Sequence, residues 1–198
     1  MNYYISDVHF FAHSQAGEQN LDGRPYKTLE EMHTDLLKRW NAKITNGDTV
    51  YILGDLSIRG GKEPMIALVS QLKGRKVLIL GNHDDVSDYR YKQLFSEIYD
   101  YKEITDSIKG QQYKLVLSHY PILMWNGQHR GTIHLYGHVH GTAEDAYYQK
   151  CLRRMNEDPE IRKPHEKPFC AINVGCMKEY MDYEPRSLKE LLNALSFL

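Results

Sequence analysis

Cysteine is scarce in this sequence. Cys151, Cys170 and Cys176 form an odd set without C-x-x-C spacing, which points away from a secreted disulfide framework and from a thiolate zinc site. A reducing cytoplasm is the expected location, with the three thiols as small buried apolar groups. Long hydrophobic runs are missing as well: no stretch approaches the roughly 18 apolar residues of a membrane-spanning helix. Met1 to Ser6 shows no basic region leading into an apolar one, so no export signal is expected. Nor does charge of one sign prevail. The 25 Lys+Arg against 26 Asp+Glu remove bulk electrostatics as a means of holding nucleic acid or a membrane. Internal repeats and low-complexity linkers are lacking, and a chain of 198 residues buries roughly 70% of its unfolded surface. A single domain over residues 1–198 is therefore expected.

What the sequence does have is ten histidines and fifteen tyrosines. The histidines gather at the ends of β-prone runs. Tyr3 to Ser6 leads into Asp7-Val8-His9; Thr49 to Leu53 leads into Gly54-Asp55; Lys76 to Leu80 leads into Gly81-Asn82-His83-Asp84. Between these runs lie helical patterns. One follows Pro25, with the capping box Thr28 to Glu31 and a stripe of Leu29, Met32, Leu36, Leu37, Trp40 and Ile44. Another starts near Pro64, carries Met65, Leu68, Val69 and Leu72, and stops at Gly74. Strands alternating with helices imply parallel pairing and right-handed crossovers, which bring the C-terminal strand ends to one edge of the sheet. Ligands bind at such edges.

Further along, a helical stretch is expected near Arg90 to Ile98, then a hairpin of Tyr99 to Ile104 with Gln112 to Leu117 around Lys109-Gly110. Strands at Thr132 to Tyr136 and Cys170 to Val174 complete a second, more antiparallel sheet. A capping box, Ser187 to Glu190, opens a closing helix with Leu188, Leu191, Leu192 and Leu195 on one face. Residues from about 145 to 168 are dense in charge, hold three prolines and show no strand period. They are expected to form a surface excursion, as a helix with loops or a mobile segment.

Two more histidine motifs, Ser118-His119 and Gly137-His138-Val139-His140, follow predicted strands of the second sheet. In extended chain, residues two apart point the same way, so Asp7 with His9 and His138 with His140 can each offer two ligands to one site. Glycines at Gly54, Gly81 and Gly137 keep side chains out of the space a metal or phosphate would occupy. Imidazole, carboxylate and amide donors without thiolate suit borderline or hard divalent ions. The donors outnumber one coordination sphere, and a shared carboxylate could place two ions roughly 3.5 to 4 Å apart, the spacing used for displacement at phosphorus.

These motifs, in this order, resemble the calcineurin-like metallophosphoesterases, whose signature is D-x-H, G-D, G-N-H-D, a lone H, then G-H-x-H. All five are present between residues 7 and 140. The resemblance extends to Asn173-Val174-Gly175, familiar from compact bacterial and phage members. It implies an α/β fold, a four-layer α/β/β/α sandwich with two central mixed β-sheets. It also implies that Asp7, His9, Asp55 and His140 hold one metal and Asp55, Asn82, His119 and His138 the other, with Asp55 bridging. Asn82 and His83 would contact the phosphate, His83 as general acid, with Asp84 orienting its imidazole. One departure is His13, which stands four positions after His9 rather than three. The implied cofactors are two divalent ions, manganese first, with iron, zinc, nickel or magnesium as alternatives. Metal-bound hydroxide would attack a phosphoric ester, a small molecule with nucleotides among the candidates. Two divalent ions, two carboxylates and a bridging hydroxide leave a charge of about +1, which matches a singly charged diester, with monoesters as the alternative where solvent screens the site. The rival expectations are a catalytically idle scaffold for a protein partner and a nuclease.

The remaining polar residues have blander expectations. His33, His134, His129 and His165 are read as packing or surface groups, and the pair Tyr147 and Tyr148, beside Arg153 and Arg154, equally as a nucleotide-stacking surface or as packing beneath the excursion. Arg24 and Trp125 lie in loops that could rim the cleft, one as a phosphate contact and the other as a stacking surface.

Overall fold

The computed structural model describes residues 1–18, 20–57 and 62–195, except for the side chain of Lys62. Two mixed sheets organise it. The first has the order β4-β3-β2-β1-β9, from strands β1 (Asn2–Ile5), β2 (Thr49–Leu53), β3 (Arg75–Ile79), β4 (Glu97–Tyr99) and β9 (Arg186–Ser187). Its first four strands are parallel and β9 is antiparallel to β1. The second has the order β5-β6-β7-β8, from β5 (Tyr101–Ile108), β6 (Gln111–Ser118), β7 (Ile133–Tyr136) and β8 (Ala171–Asn173). Antiparallel pairing is confined there to β5-β6, and β6-β7-β8 run parallel. The second sheet is thus less antiparallel than the hairpin pattern suggests.

Helices α1 (Leu29–Lys43), α2 (Lys62–Val69) and α5 (Leu188–Leu195) form where the apolar stripes predict them. Thr28 caps α1 by accepting from the Glu31 N–H at 3.1 Å, and Met32, Leu36 and Trp40 lie buried one turn apart. In the second sheet the two-residue period separates two cores. Leu115, Leu117, Ile133 and Leu135 join the main core with Ile5, Ile52, Leu78 and the faces of α1 and α5. Val116, Tyr136 and Ala171 point the other way, onto Tyr148, Leu152 and Met155. The hydroxyl of Tyr4 in β1 reaches Asp106 of β5 at 2.7 Å, tying one sheet to the other. No helix among the described residues is long and apolar enough to cross a membrane.

Two stretches differ from the sequence expectation. Helix α3 covers only Tyr89–Lys92, because Glu97–Tyr99 pairs in parallel with β3 instead of continuing the helix. The predicted strand from Tyr99 is divided, and the chain passes from the first sheet to the second at Asp100. The charged excursion is in its first half a regular helix, α4 (Ala143–Glu157), capped by Thr142. Its buried face is a narrow stripe of Asp145, Tyr148, Leu152 and Met155, which charged residues on the other faces hide from a simple periodicity reading. Tyr148 is in this stripe and Tyr147 is exposed. Of the cysteines, only Cys176 is fully buried.

Lys43 joins α1 to the C-terminal segment, with its ammonium 2.9 Å from Glu184 and 2.7 Å from Glu190. Burial would raise the Glu190 pKa, but Lys43 and the Ser187 N–H and hydroxyl outweigh it and bring it down to about 2. A carboxyl pKa depressed on folding contributes stability above its unfolded value, and that contribution is lost as pH falls through the folded one. Glu190→Gln is expected to lower the Tm at neutral pH by about 2–4 °C, the shift that about 1 kcal/mol produces at this size. The gap between variant and parent should narrow below pH 4.5, the ordinary glutamate value, and close near pH 2. Thermal melts at several pH values read it; a gap independent of pH would refute the assignment.

Candidate metal centre

Every candidate ligand lies just past the C-terminal end of a strand: Asp7 and His9 after β1, Asp55 after β2, Asn82 after β3, His119 after β6, and His138 and His140 after β7. The segments are laced together. The N–H groups of Asp7 and His9 donate to the carbonyls of Gly54 and Asp55, and that of Gly137 to His119. Asp7, His9, Asp55, His138 and His140 all have φ between +49° and +69°. That conformation costs a residue with a β-carbon roughly 1–2 kcal/mol, and its concentration at five candidate ligands marks a functional site. Close approach requires glycine at two neighbouring positions. A β-carbon at Gly54 would overlap the His119 ring, and one at Gly81 the Asp55 carboxylate.

Two groups of donors converge. One ligating atom from each of Asp7, His9 and His140 lies within 4.8 Å of the others, and the same holds for Asp55, His119 and His138. Asn82 joins the second group, its Oδ1 lying 3.1 Å from His119 Nε2 and 3.0 Å from His138 Nδ1. Asp55 Oδ2 faces both groups, 3.8 Å from His9 Nε2 and 3.5 Å from His119 Nε2. Asp7 is buried, accepts the Ser6 hydroxyl at 2.7 Å and receives the His138 N–H.

The orientation of the rings fits a cation. His119 Nδ1 lies 2.8 Å from the Leu53 carbonyl and His140 Nδ1 2.6 Å from the Asp22 carboxylate. Both partners only accept, so each ring donates from Nδ1 and turns Nε2 inward; burial would lower the His140 pKa, but the Asp22 and Asp7 carboxylates outweigh it and raise it. His140 Nε2 then faces His9 Nε2 at 3.0 Å and Asp7 at 3.6 Å. Burial, aided by His140 and Arg24, pushes the His9 pKa down to about 2, which keeps it neutral. His138 is lowered too, by burial and then by His119. Imidazole nitrogens and carboxylates crowded into one place, with His9 Nε2 facing His140, Asp7 and Asp55, form a donor set that a divalent ion satisfies.

A family model described as calcineurin-like phosphoesterase matches residues 3–196. The chain belongs to that family. An uncharacterised protein of Methanocaldococcus jannaschii is 33% identical over 187 residues, which cover 94% of this chain and 86% of that one. The gene 66 protein of Mycobacterium phage D29 is 29% identical over 160 residues, 70% of this chain and 77% of its own. The crystal structure of a protein of unknown function from Aquifex aeolicus matches with a TM-score of 0.65 and 26% identity over 98% of each chain.

In this calcineurin-like phosphoesterase, three side chains near the site are committed to bonds within the fold. Asp84 does not spend its carboxylate on the His83 ring. Oδ2 accepts the N–H groups of Asp55 (2.8 Å) and Gly81 (2.9 Å), and Oδ1 that of Leu56 (3.1 Å). It therefore fastens the turn after β2 to the turn after β3. Burial pushes its pKa up to about 6 against these bonds. Arg24 is not offered to a phosphate: its guanidinium is buried and donates to the carbonyls of Val8 and Asp7, each at 2.8 Å, and to Asp22. Trp125 is buried in the outer core of the second sheet, with its indole N–H on the Thr132 carbonyl.

His33 and His134 are satisfied packing groups, as expected. His33 Nε2 accepts from the Phe11 N–H, and His134 is held between the Val116 carbonyl and the Ile122 N–H. His129 pairs with Glu166 on the surface, while His13 and His165 are exposed. His83 is exposed with its ring centroid 5.7 Å from that of His9, and its N–H donates to Asp55 Oδ1 at 3.0 Å.

Asp22 escaped the sequence reading altogether. It orients His140 and is neutralised by Arg24, and these bonds overcome burial to lower its pKa. Its only sequence signal is a position two residues before Arg24, in a loop 118 residues from His140. Asn173 likewise supports the site by donating to the His140 carbonyl at 2.7 Å. Asp22→Asn keeps the shape and removes the charge. It is expected to weaken metal binding about tenfold, the usual scale for a residue supporting a histidine ligand. A chelator-competition titration with Mn²⁺ measures this, and unchanged affinity would count against the role.

Proposed function

We propose that this chain, as a single domain over residues 1–198, hydrolyses phosphoric esters, with singly charged diesters as its preferred class. The observation that carries this reading is the placement of Asp55, whose carboxylate faces both donor groups at 3.5 and 3.8 Å. It supports a pair of divalent ions held by Asp7, His9, Asp55 and His140 and by Asp55, Asn82, His119 and His138. When bound, such a pair supplies charge neutralisation at the phosphoryl oxygens and a nucleophile drawn from water at neutral pH.

The protein's own groups do the rest. Asn82 and His83, exposed on the turn after β3, position the phosphate, and the His83 imidazole passes a proton to the departing oxygen. The bond from His83 N–H to Asp55 holds that imidazole in register with the shared carboxylate. Preference for a diester is supported by the residual charge of about +1 and by Arg24, whose donors are committed within the fold. The nitrogen and oxygen donor set favours manganese or a similar ion. Free cysteines support a cytoplasmic setting.

Elemental analysis of protein purified without chelator, paired with hydrolysis of a chromogenic phosphodiester under Mn²⁺, Ni²⁺, Zn²⁺ and Mg²⁺, tests the reading. The expected result is close to two ions per chain and metal-dependent turnover. Bound metal without turnover on diesters or monoesters would favour the scaffold, and no metal under any condition would remove the basis of the proposal.

A further inference from the structure

We propose that Tyr120 is the specificity-determining residue of this centre: a platform for a flat aromatic ring on one ester substituent, of which a nucleobase is the chemical class. The proposal rests on the phosphoester reading above. Tyr120 follows His119 at the end of β6, and its ring centroid lies 5.1 Å from that of His119 and 4.6 Å from that of His138, both edge to face. It borders two candidate ligands of the second donor group and is still 47% exposed.

Its hydroxyl makes no hydrogen bond among the described residues. By contrast, the hydroxyls of Tyr4, Tyr26, Tyr136 and Tyr148 are all committed within the fold. The loop that follows is held firmly from beneath. The Ile122 N–H donates to His134 Nε2 at 3.1 Å, its carbonyl accepts the Tyr148 hydroxyl at 2.7 Å, and the Trp125 N–H donates to Gln128 at 2.8 Å. With Ile122 and Trp125 packed inward, Leu123 and Met124 are 39% and 70% exposed. A firmly bonded loop thus follows a tyrosine that stands exposed beside the donor groups, and an exposed aromatic ring next to a polar metal centre suits a ligand with a charged phosphate and a flat apolar ring. Stacking needs no base-specific hydrogen bond, so one tyrosine suffices.

Titration calorimetry of thymidine monophosphate and methyl phosphate into the manganese-loaded protein compares one phosphate with two substituents. The parent chain is expected to bind the nucleotide about tenfold more tightly, equivalent to about 1.4 kcal/mol. Tyr120→Ala should close that gap and Tyr120→Phe should keep it. Equal affinities in the parent, a gap that survives Tyr120→Ala, or an equal loss of both ligands would overturn the platform, the last because Tyr120 would then only support His138. Turnover of thymidine p-nitrophenyl phosphate is followed in parallel. Its absence would sink the hydrolase reading, while the binding comparison would still decide the role of Tyr120.

Discussion

Asp55→Asn is expected to abolish two-metal occupancy and to lower phosphodiester turnover by about a thousandfold, equivalent to about 4 kcal/mol of transition-state stabilisation. The substitution preserves size and one acceptor oxygen, so the bond from the His83 N–H can persist. What it removes is the negative charge that faces both His9 and His119. Stability should move the other way. Without ions, Asp55 adds to the factors raising the pKa of the buried Asp7, after burial itself, so removing its charge relieves an unfavourable interaction. The metal-free variant should melt at or above the temperature of the metal-free parent and should gain much less when Mn²⁺ is added. Metal content, turnover and paired melts read all three. Full two-ion occupancy in the variant would refute the bridging role.

His83→Ala should leave metal content unchanged and lower kcat by roughly 10²- to 10⁴-fold, the range for loss of a general acid. The imidazole is exposed beside the donor groups and is absent from both convergent sets, so its loss need not disturb the ions. The deficit should depend on the leaving group. A p-nitrophenolate departs without protonation and should show the smaller loss, whereas an alkoxide needs the proton and should show the larger. Equal deficits for aryl and alkyl leaving groups would mean that His83 binds the phosphate without protonating the departing oxygen. Asp84→Asn offers a contrast: its bonds go to the backbone of Asp55, Leu56 and Gly81, so its effect should extend to metal binding.

Much of this was legible in the chain because metal chemistry restricts residue type. A site built without thiolate draws on histidine, carboxylate and amide, and strand-forming runs that end in such residues show where they gather. Asp7, His9, Asp55, Asn82, His119, His138 and His140 are therefore readable one short motif at a time, and the structure brings all seven together. Helices α1 and α5 were legible for a similarly local reason, a capping box followed by a wide apolar stripe. Helix α4 was legible only as one of two alternatives, since its buried stripe is narrow and includes Asp145, whose carboxylate accepts from Tyr136 and Lys178 elsewhere in the chain.

The sequence by itself determined the donor set, the order of the motifs and the parallel strands that carry them, since each depends on neighbours within a few residues. Tertiary structure alone decided what surrounds that set. Asp22 lies on His140 across 118 residues, Arg24 is turned inward onto the Asp7 and Val8 carbonyls, Asp84 is a clamp between two turns, and Tyr120 stands exposed against His138. A carboxylate, a guanidinium or a phenol can serve a metal, a phosphate or its own backbone equally well. Which of these it serves depends on the groups that long-range folding places within about 3 Å of it.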